Sequence, residues 1–414
     1  MDIKVNHLPV LTWNQLKLND TTITIEEIPI GTPNVYRSPV DLPDGVTLEQ
    51  NVNSQDLQDR FDALGISNPP EKVIAGKVPM YNTQKFATGM GGAIDEWMKQ
   101  KDVTAEVFTV ESNFRSEEPL LFQYAIPAGS STLERTLIHA KEGSESTFIL
   151  YYMADKDAAE GEPNAGKTAA DEAHDIRKTA TDKSGTINGV QTYIYLEKNA
   201  KVHLHVVQTL APKTTFFHDI GSFSQDKSEF TLTKLDLGAL TVYEGLNETQ
   251  MGDKSVFSSD LGYVGIAGSK MDINYNDVFW GKKAEGRMYF KEALLDDAKK
   301  TFRGTVDFRQ DSVGSVGDEQ EDIILLGDDI VNKTIPLILC EEEDVEGRHA
   351  STIGSLSEEM LFYMQTRGID PQKAAELMVT ANINSISKKI PSEEIRTATD
   401  KFICRIFNPS CHNC

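Results

Sequence analysis

Cys340 and His349 are the residues of this 414-residue chain whose types are best suited to chemistry. Between them runs Glu341-Glu342-Glu343-Asp344-Val345-Glu346-Gly347-Arg348, so a thiol, an imidazole and a run of carboxylates share one short stretch. Thiolate and imidazole are donors for soft and borderline metals, and such ligands need no fixed spacing in sequence because the fold brings them together. The ordinary alternative is a buried strand cysteine, a turn histidine and a solvated acidic face. His203 and His205 alternate with Val202, Leu204 and Val206, which places both imidazoles on one face of a strand about 7 Å apart. Without a third donor at a defined spacing they are expected to pair across strands. Cys411 and Cys414 form a C-x-x-C pair near Cys404. With no second such pair to close a four-ligand site, a disordered tail with reactive thiols is expected.

One nucleotide motif is present. Gly161-Glu162-Pro163-Asn164-Ala165-Gly166-Lys167-Thr168 matches the phosphate-loop pattern G-x-x-x-x-G-K-[ST]. Its surroundings argue against it. Glu160 and Glu162 stand where polyphosphate would approach, no strand–helix alternation supplies a parallel nucleotide-binding sheet, and no apolar strand ending in a metal-binding Asp follows. The expectation is a polar surface insertion over residues 155–185 and no nucleotide bound by this chain.

The formal net charge of −23 disfavours a nucleic-acid partner, since phosphates are neutralised by clustered Lys and Arg. No apolar run approaches the ~20 residues that span a bilayer, and the start has no signal-peptide pattern. A cytoplasmic location is the expectation, with no membrane partner. Four cysteines, none before Cys340, make no disulfide framework, and reduced thiols are expected.

The elements that must position these residues change along the chain. Residues 1–100 form a mixed, partly helical module, with Leu57, Phe61 and Leu64 at helical spacing and Gly65 where a C-cap stands. Residues 101–345 turn to period two, with strands at roughly ten-residue intervals. Gly189, Asn199, Gly238, Gly268, Gly286 and Gly304 stand at the expected corners. That pattern admits a sandwich, a barrel or a solenoid. Residues 346–414 become helical. Ser357 opens one helix that Gly368 closes, Asp370 and Pro371 open a second, and Pro391 opens a third.

Several of these stretches together resemble the SufB/SufD family of iron–sulfur cluster assembly scaffolds. They are Cys340 to Gly354, the run Leu361-Phe362-Tyr363-Met364-Gln365-Thr366-Arg367-Gly368-Ile369, the start Leu8-Pro9-Val10-Leu11-Thr12-Trp13 with Leu16-Lys17-Leu18-Asn19, and Phe302-Arg303-Gly304-Thr305-Val306. The resemblance implies a mainly β fold, a right-handed parallel β-helix flanked by amino-terminal and carboxy-terminal helical modules that cap its ends. It also implies a non-enzymatic scaffold that carries a transient iron–sulfur cluster shared with a partner. That partner is a SufB-type paralogue, or a second copy in isolation, and a SufC-type ATPase docks on the carboxy-terminal helices. Ala350 and Ser351 follow His349 where SufB-type chains carry Glu, and Ile323 to Asp328 lacks the SufB-type cysteine, so the SufD-like subunit is the better match. Some SufD proteins carry Cys where this chain has Gly347, which leaves His349 as the first ligand candidate and Cys340 as the second. Leu361, Phe362, Tyr363, Arg367 and Ile369 are expected to serve folding and ATPase docking. The rival readings are a purely structural scaffold without metal, and a β-helix carbohydrate-active enzyme using Asp272 with Asp277 or Asp307 with Asp311.

Overall fold

The computed structural model describes residues 1–10, 16–25, 29–66, 87–127, 129–155, 185–355 and 357–408. The phosphate-loop motif, Trp13 and the Cys411/Cys414 pair lie outside them.

The amino-terminal elements are β1 (Asp2–Val5), β2 (Thr21–Thr24), β3 (Ile30–Gly31), β4 (Asn34–Ser38), β5 (Val46–Val52), α1 (Ser54–Ala63) and α2 (Gly92–Gln100). Strands then follow one another: β6 (Ala105–Val110), β7 (Leu120–Ile126), β8 (Ser131–Ala140), β9 (Glu145–Ala154), β10 (Thr186–Leu196), β11 (Lys201–Thr209), β12 (Thr214–Ser224) and β13 (Glu229–Asp236). The series continues through β14 (Thr241–Gln250), β15 (Val256–Gly265), β16 (Lys270–Phe279), β17 (Glu285–Leu295), β18 (Lys299–Phe308), β19 (Val316–Leu326), β20 (Val331–Cys340) and β21 (Glu346–Gly354). The helices α3 (Glu358–Thr366), α4 (Pro371–Ser387) and α5 (Glu393–Phe407) complete the order.

From β6 onward each strand pairs in parallel with the next but one, so even-numbered strands build one sheet and odd-numbered strands the other. Thr241, Lys270 and Lys299 are register neighbours on successive coils. The result is a parallel β-solenoid of about eight coils, two strands to a coil. Period two decides which side chains fill it: Val202, Leu204 and Val206 of β11 face inward with Phe230, Leu232 and Phe257.

The corners repeat one device. Asn199, Lys227, Lys254 and Lys283 take φ of 57°, 55°, 59° and 54°, a left-handed backbone that costs a non-glycine residue about 1–2 kcal/mol. Stacking offsets that cost. Lys227 N–H donates to the Asp253 carbonyl at 2.9 Å and Lys254 N–H to the Lys282 carbonyl at 2.8 Å, so each corner is bonded to the next.

Three of the expected corner glycines are not corners. Gly189, Gly286 and Gly304 lie inside β10, β17 and β18, at points of close approach. A Cβ on Gly304 would stand 2.7 Å from a Glu319 oxygen and 2.8 Å from the Phe302 ring, and one on Gly189 would overlap Phe217. Gly304→Ala is expected to cost about 1–3 kcal/mol through this crowding, read as a lower urea midpoint at unchanged m.

The helices cover the faces of the solenoid rather than its ends. Trp97, Ile94 and Met98 of α2, with Ile3 and Val5, pack on Phe217 and Tyr243 of the even sheet. Leu57 and Phe61 of α1 pack on Val107, Tyr193 and Tyr195. On the odd sheet, Val379, Ile383, Ile395 and Ile403 pack on Val207, Leu235 and Ala293. The outward residues of those strands are apolar, and burying them is the stronger demand. Strand pairing extends to Gly354, nine residues past the boundary expected at 345, because β21 adds one more odd strand. At the first coil β4 and β5 pair antiparallel with β7 and β6, whereas no described strand pairs on the outer edge of β20 or β21.

Helix boundaries follow local chemistry. The Asn53 side chain caps α1, Ser357 accepts from Met360 N–H, Asp370 accepts from Lys373 N–H ahead of Pro371, and Ser392, one residue after Pro391, caps α5. Gly65 and Gly368 are left-handed at the expected ends. Cys404 on α5 is disulfide-bonded, which corrects the expectation of reduced thiols there.

Candidate functional site at the mouth of the solenoid

His349 and Cys340 both belong to the last coil and both occupy its inward-facing rows. Gly347 on β21 is inward, since a Cβ built there would stand 2.9 Å from Ile338 and 3.2 Å from Phe308, a core ring. Period two then gives His349, Ser351 and Ile353 the same facing. Ser351 confirms it, its Oγ donating to Glu321 Oε2 at 3.3 Å. Cys340 is in register with Phe308, and Ile338 with Val306, so Cys340 is inward on β20. With no further coil among the described residues stacked on them, all nine residues of β21 are exposed. The interior of the solenoid opens to solvent here.

The two donors stand apart. Gly347 faces Ile338 across the interior, and the chain reverses between β20 and β21. Cys340 and His349 therefore lie two residues to either side of that contact, ~13 Å apart along the strands. One copy of the chain does not bring the two donors together. The Cys340 thiol is free, and partial burial together with the Asp307 carboxylate pushes it above the usual thiol range, which keeps it protonated. Among the described residues no group of three or more His, Cys, Asp and Glu is placed to hold a metal ion.

Behind the mouth lies a chain of buried charge that the sequence analysis did not single out. Lys300 on β18 is fully buried and ion-paired to Glu292 of β17 and Glu321 of β19. Burial alone would lower its pKa, but the two carboxylates outweigh it and the group stays charged. Glu319 is in register with His349, and burial pushes its carboxyl up to about 8. Deeper in, Lys234 pairs with Glu244 and lies 3.9 Å from Asp236. Lys234 Nζ is 3.2 Å from His218 Nδ1, and His218 Nε2 is 2.9 Å from Thr192 Oγ1. The signal for these groups was Glu292 in the inward row Met288-x-Phe290-x-Glu292-x-Leu294, a charge at a core position.

The other candidates are accounted for by packing. His205 is buried and pushed down to about 4 by burial and then by His203, so it is neutral. Asp272 faces outward, held by Arg303 at 2.7 Å and Asn6 at 2.7 Å, whereas Asp277 lies five positions on and faces inward to Gln250. The two carboxylates lie on opposite faces of β16 and do not meet. Asp307 is ion-paired with Arg309 at 2.5 Å. On α3 Leu361 is half-buried, while Phe362 and Tyr363 are 68% and 58% exposed; just past its end Arg367 lies over the Tyr363 ring at 5.3 Å and Ile369 is half-buried. No residue of α3 is fully buried, which leaves an apolar helix face in solvent.

Comparison with known proteins decides what this coil belongs to. Residues 168–382 match the model of the SUF system FeS cluster assembly SufBD core domain. The chain belongs to the SufBD family of iron–sulfur cluster assembly proteins. It is 24% identical over 366 residues to a SufBD-family assembly protein of Pyrococcus horikoshii, covering 82% of this chain and 78% of that one. It is also 24% identical over 287 residues to a chloroplastic SufBD-family protein of Arabidopsis thaliana, covering 69% of this chain and 48% of that one, so it spans about half of that relative. A Plasmodium berghei assembly protein named SufD is 24% identical over 227 residues, 54% of this chain and 17% of its own length. The SufBD core matched here ends inside α4, so the mouth, with His349 and Cys340, falls within it. No described helix is long and apolar enough to cross a membrane.

Proposed function

We propose that the chain is a SufD-like scaffold subunit that pairs through its open last coil with a SufB-type paralogue and there helps to hold a nascent iron–sulfur cluster. The observation that carries this is the unpaired edge of β21. Glu346 N–H donates to the Ser315 carbonyl, toward β19, at 3.0 Å. In a parallel ladder, bonding direction alternates along a strand, so Gly347, His349, Ser351 and Ile353 turn their backbone groups away from β19. A long exposed edge of this kind is a template for a partner strand. A strand added there extends the sheet and carries the partner's side chains over the mouth. Iron and sulfide are the cargo, and His349 is the imidazole donor from this side. Cys340, ~13 Å away, supplies a separate donor point rather than a chelate. Remaining ligands come from the partner, and so few donors per subunit leave the cluster free to move on. The exposed Phe362 and Tyr363 on α3, with Leu361, Arg367 and Ile369, form the docking face for a SufC-type ATPase. The chain itself is then neither a nucleotide-binding protein nor an enzyme, and a second copy can take the paralogue's place when it is absent.

The test is to mix the protein with its SufB-type and SufC-type partners, reconstitute anaerobically with iron and sulfide, and follow the complex by size-exclusion chromatography with light scattering. His349→Ala is expected to leave the complex intact and to lower cluster absorption several-fold. Unchanged absorption would reduce the chain to structural support, and the absence of any complex would overturn the pairing.

A further inference from the structure

We infer that Glu319 is a positioning residue for His349, a carboxyl oxygen accepting the ring N–H so that the other nitrogen is left to face iron. The inference rests on the proposed role of His349 as a ligand.

Three observations place Glu319 there. Its Cα is the register partner of His349 in the parallel ladder of β19 and β21, and adjacent strands lie about 4.8 Å apart, so side chains on the same face are nearest neighbours. Both are on the inward face: Gly317 of β19 lies against Val306 and Phe308, Glu321 meets Ser351, and Gly347 lies against Ile338. Glu319 also has space made for it. The bare backbone of Gly304 receives its carboxyl at a distance that a Cβ would close.

Its hydrogen-bonding capacity is unspent. Glu319 is 2% exposed, yet it forms no hydrogen bond or ion pair among the described residues, while its neighbour Glu321 takes Lys300 and Ser351. A carboxyl this far from water gains from a hydrogen-bond donor, and its register partner on the open side, His349, carries one. The arrangement matches a general rule for metal-binding histidines, in which the second ring nitrogen donates to a carboxylate or carbonyl that fixes tautomer and ring orientation. The strand carries the ligand, and the strand beneath it carries the group that aims it.

The experiment is nitrogen-15 NMR of histidine rings in the full chain without iron, with His349 assigned by its absence in His349→Ala. One predominant His349 tautomer is expected in the unmodified protein, a mixture in Glu319→Met, which keeps volume and removes the acceptor, and a return to one tautomer in Glu319→Gln, which keeps an acceptor. In the reconstituted complex, iron retained by Glu319→Met should fall about tenfold and by Glu319→Gln much less. Two freely exchanging tautomers in the unmodified protein would overturn the inference even if Glu319→Met did not fold. An iron content that falls with His349→Ala but is indifferent to Glu319→Met would overturn it while leaving the ligand role standing. Indifference to His349→Ala would overturn that role itself.

Discussion

Lys300→Met is expected to destabilise the folded chain by about 3–5 kcal/mol at pH 8, the range found when one partner of a buried ion group is removed. Among the described residues Lys300 is the one cation in direct contact with Glu292 and Glu321, and all three side chains are sealed from solvent. Methionine fills the volume, so the loss is electrostatic: two carboxylates of like charge remain in an apolar interior. They respond by taking up protons, which costs less the lower the pH, and the penalty at pH 6 should be clearly smaller than at pH 8. Urea unfolding of both proteins at the two pH values measures this directly. Equal midpoints at pH 8 would show that the triad is not stabilising. Replacing Glu292 and Glu321 by apolar residues as well should recover most of the loss, since a buried ion group exchanged whole for packed apolar side chains is often close to neutral.

The unmodified protein should itself lose about 5 kcal/mol of stability between pH 6.5 and pH 8.5. Burial pushes Glu134 and Glu319 up to about 8, and Asp219 and Glu248 up to about 7. A folded pKa raised above its unfolded value gives stability that is complete below the unfolded pKa, near 4, and is lost as the pH rises through the folded pKa. For these groups the loss spans about pH 5 to pH 8, at up to ~1.4 kcal/mol per group per unit. His205 and His218 act in the opposite sense, since burial lowers both and they lose stability as the pH falls below their unfolded value. Above pH 6.5 they contribute under 1 kcal/mol between them, so the carboxyls decide the slope. Thermal unfolding in buffers of equal ionic strength gives the sign, and a midpoint that rises toward pH 8.5 would contradict it.

Much of this molecule is local in origin. The capping residues Asn53, Ser357, Asp370 and the left-handed Gly65 and Gly368 act within one turn of their own helices, so α1, α3 and α4 were legible from spacing alone. Alternation over Val202 to Val206 announced strands because one face of each must be buried. The fold class and the family followed once period two was joined to the motifs around His349 and Phe302. Alternation states that a strand has two faces. It does not state which coil lies beneath it.

What depended on neighbours distant in sequence was decided only by stacking. Gly189, Gly286 and Gly304 looked like corners because glycine serves both turns and close approaches, and only the facing side chains of Phe217, Asp277 and Glu319 distinguish the two. The helical modules lie on the sheet faces because outward Leu235, Phe217 and their neighbours are apolar, a property that matters only once the faces exist. Lys300, Glu292 and Glu321 come from three successive strands and meet only when register brings two sheets together. The same register sets Cys340 and His349 ~13 Å apart at the open mouth, close in sequence yet on opposite sides of the Gly347–Ile338 contact. The chain alone named the residues whose types suit a metal; the coil on which they stand determined that one copy does not bring the two together.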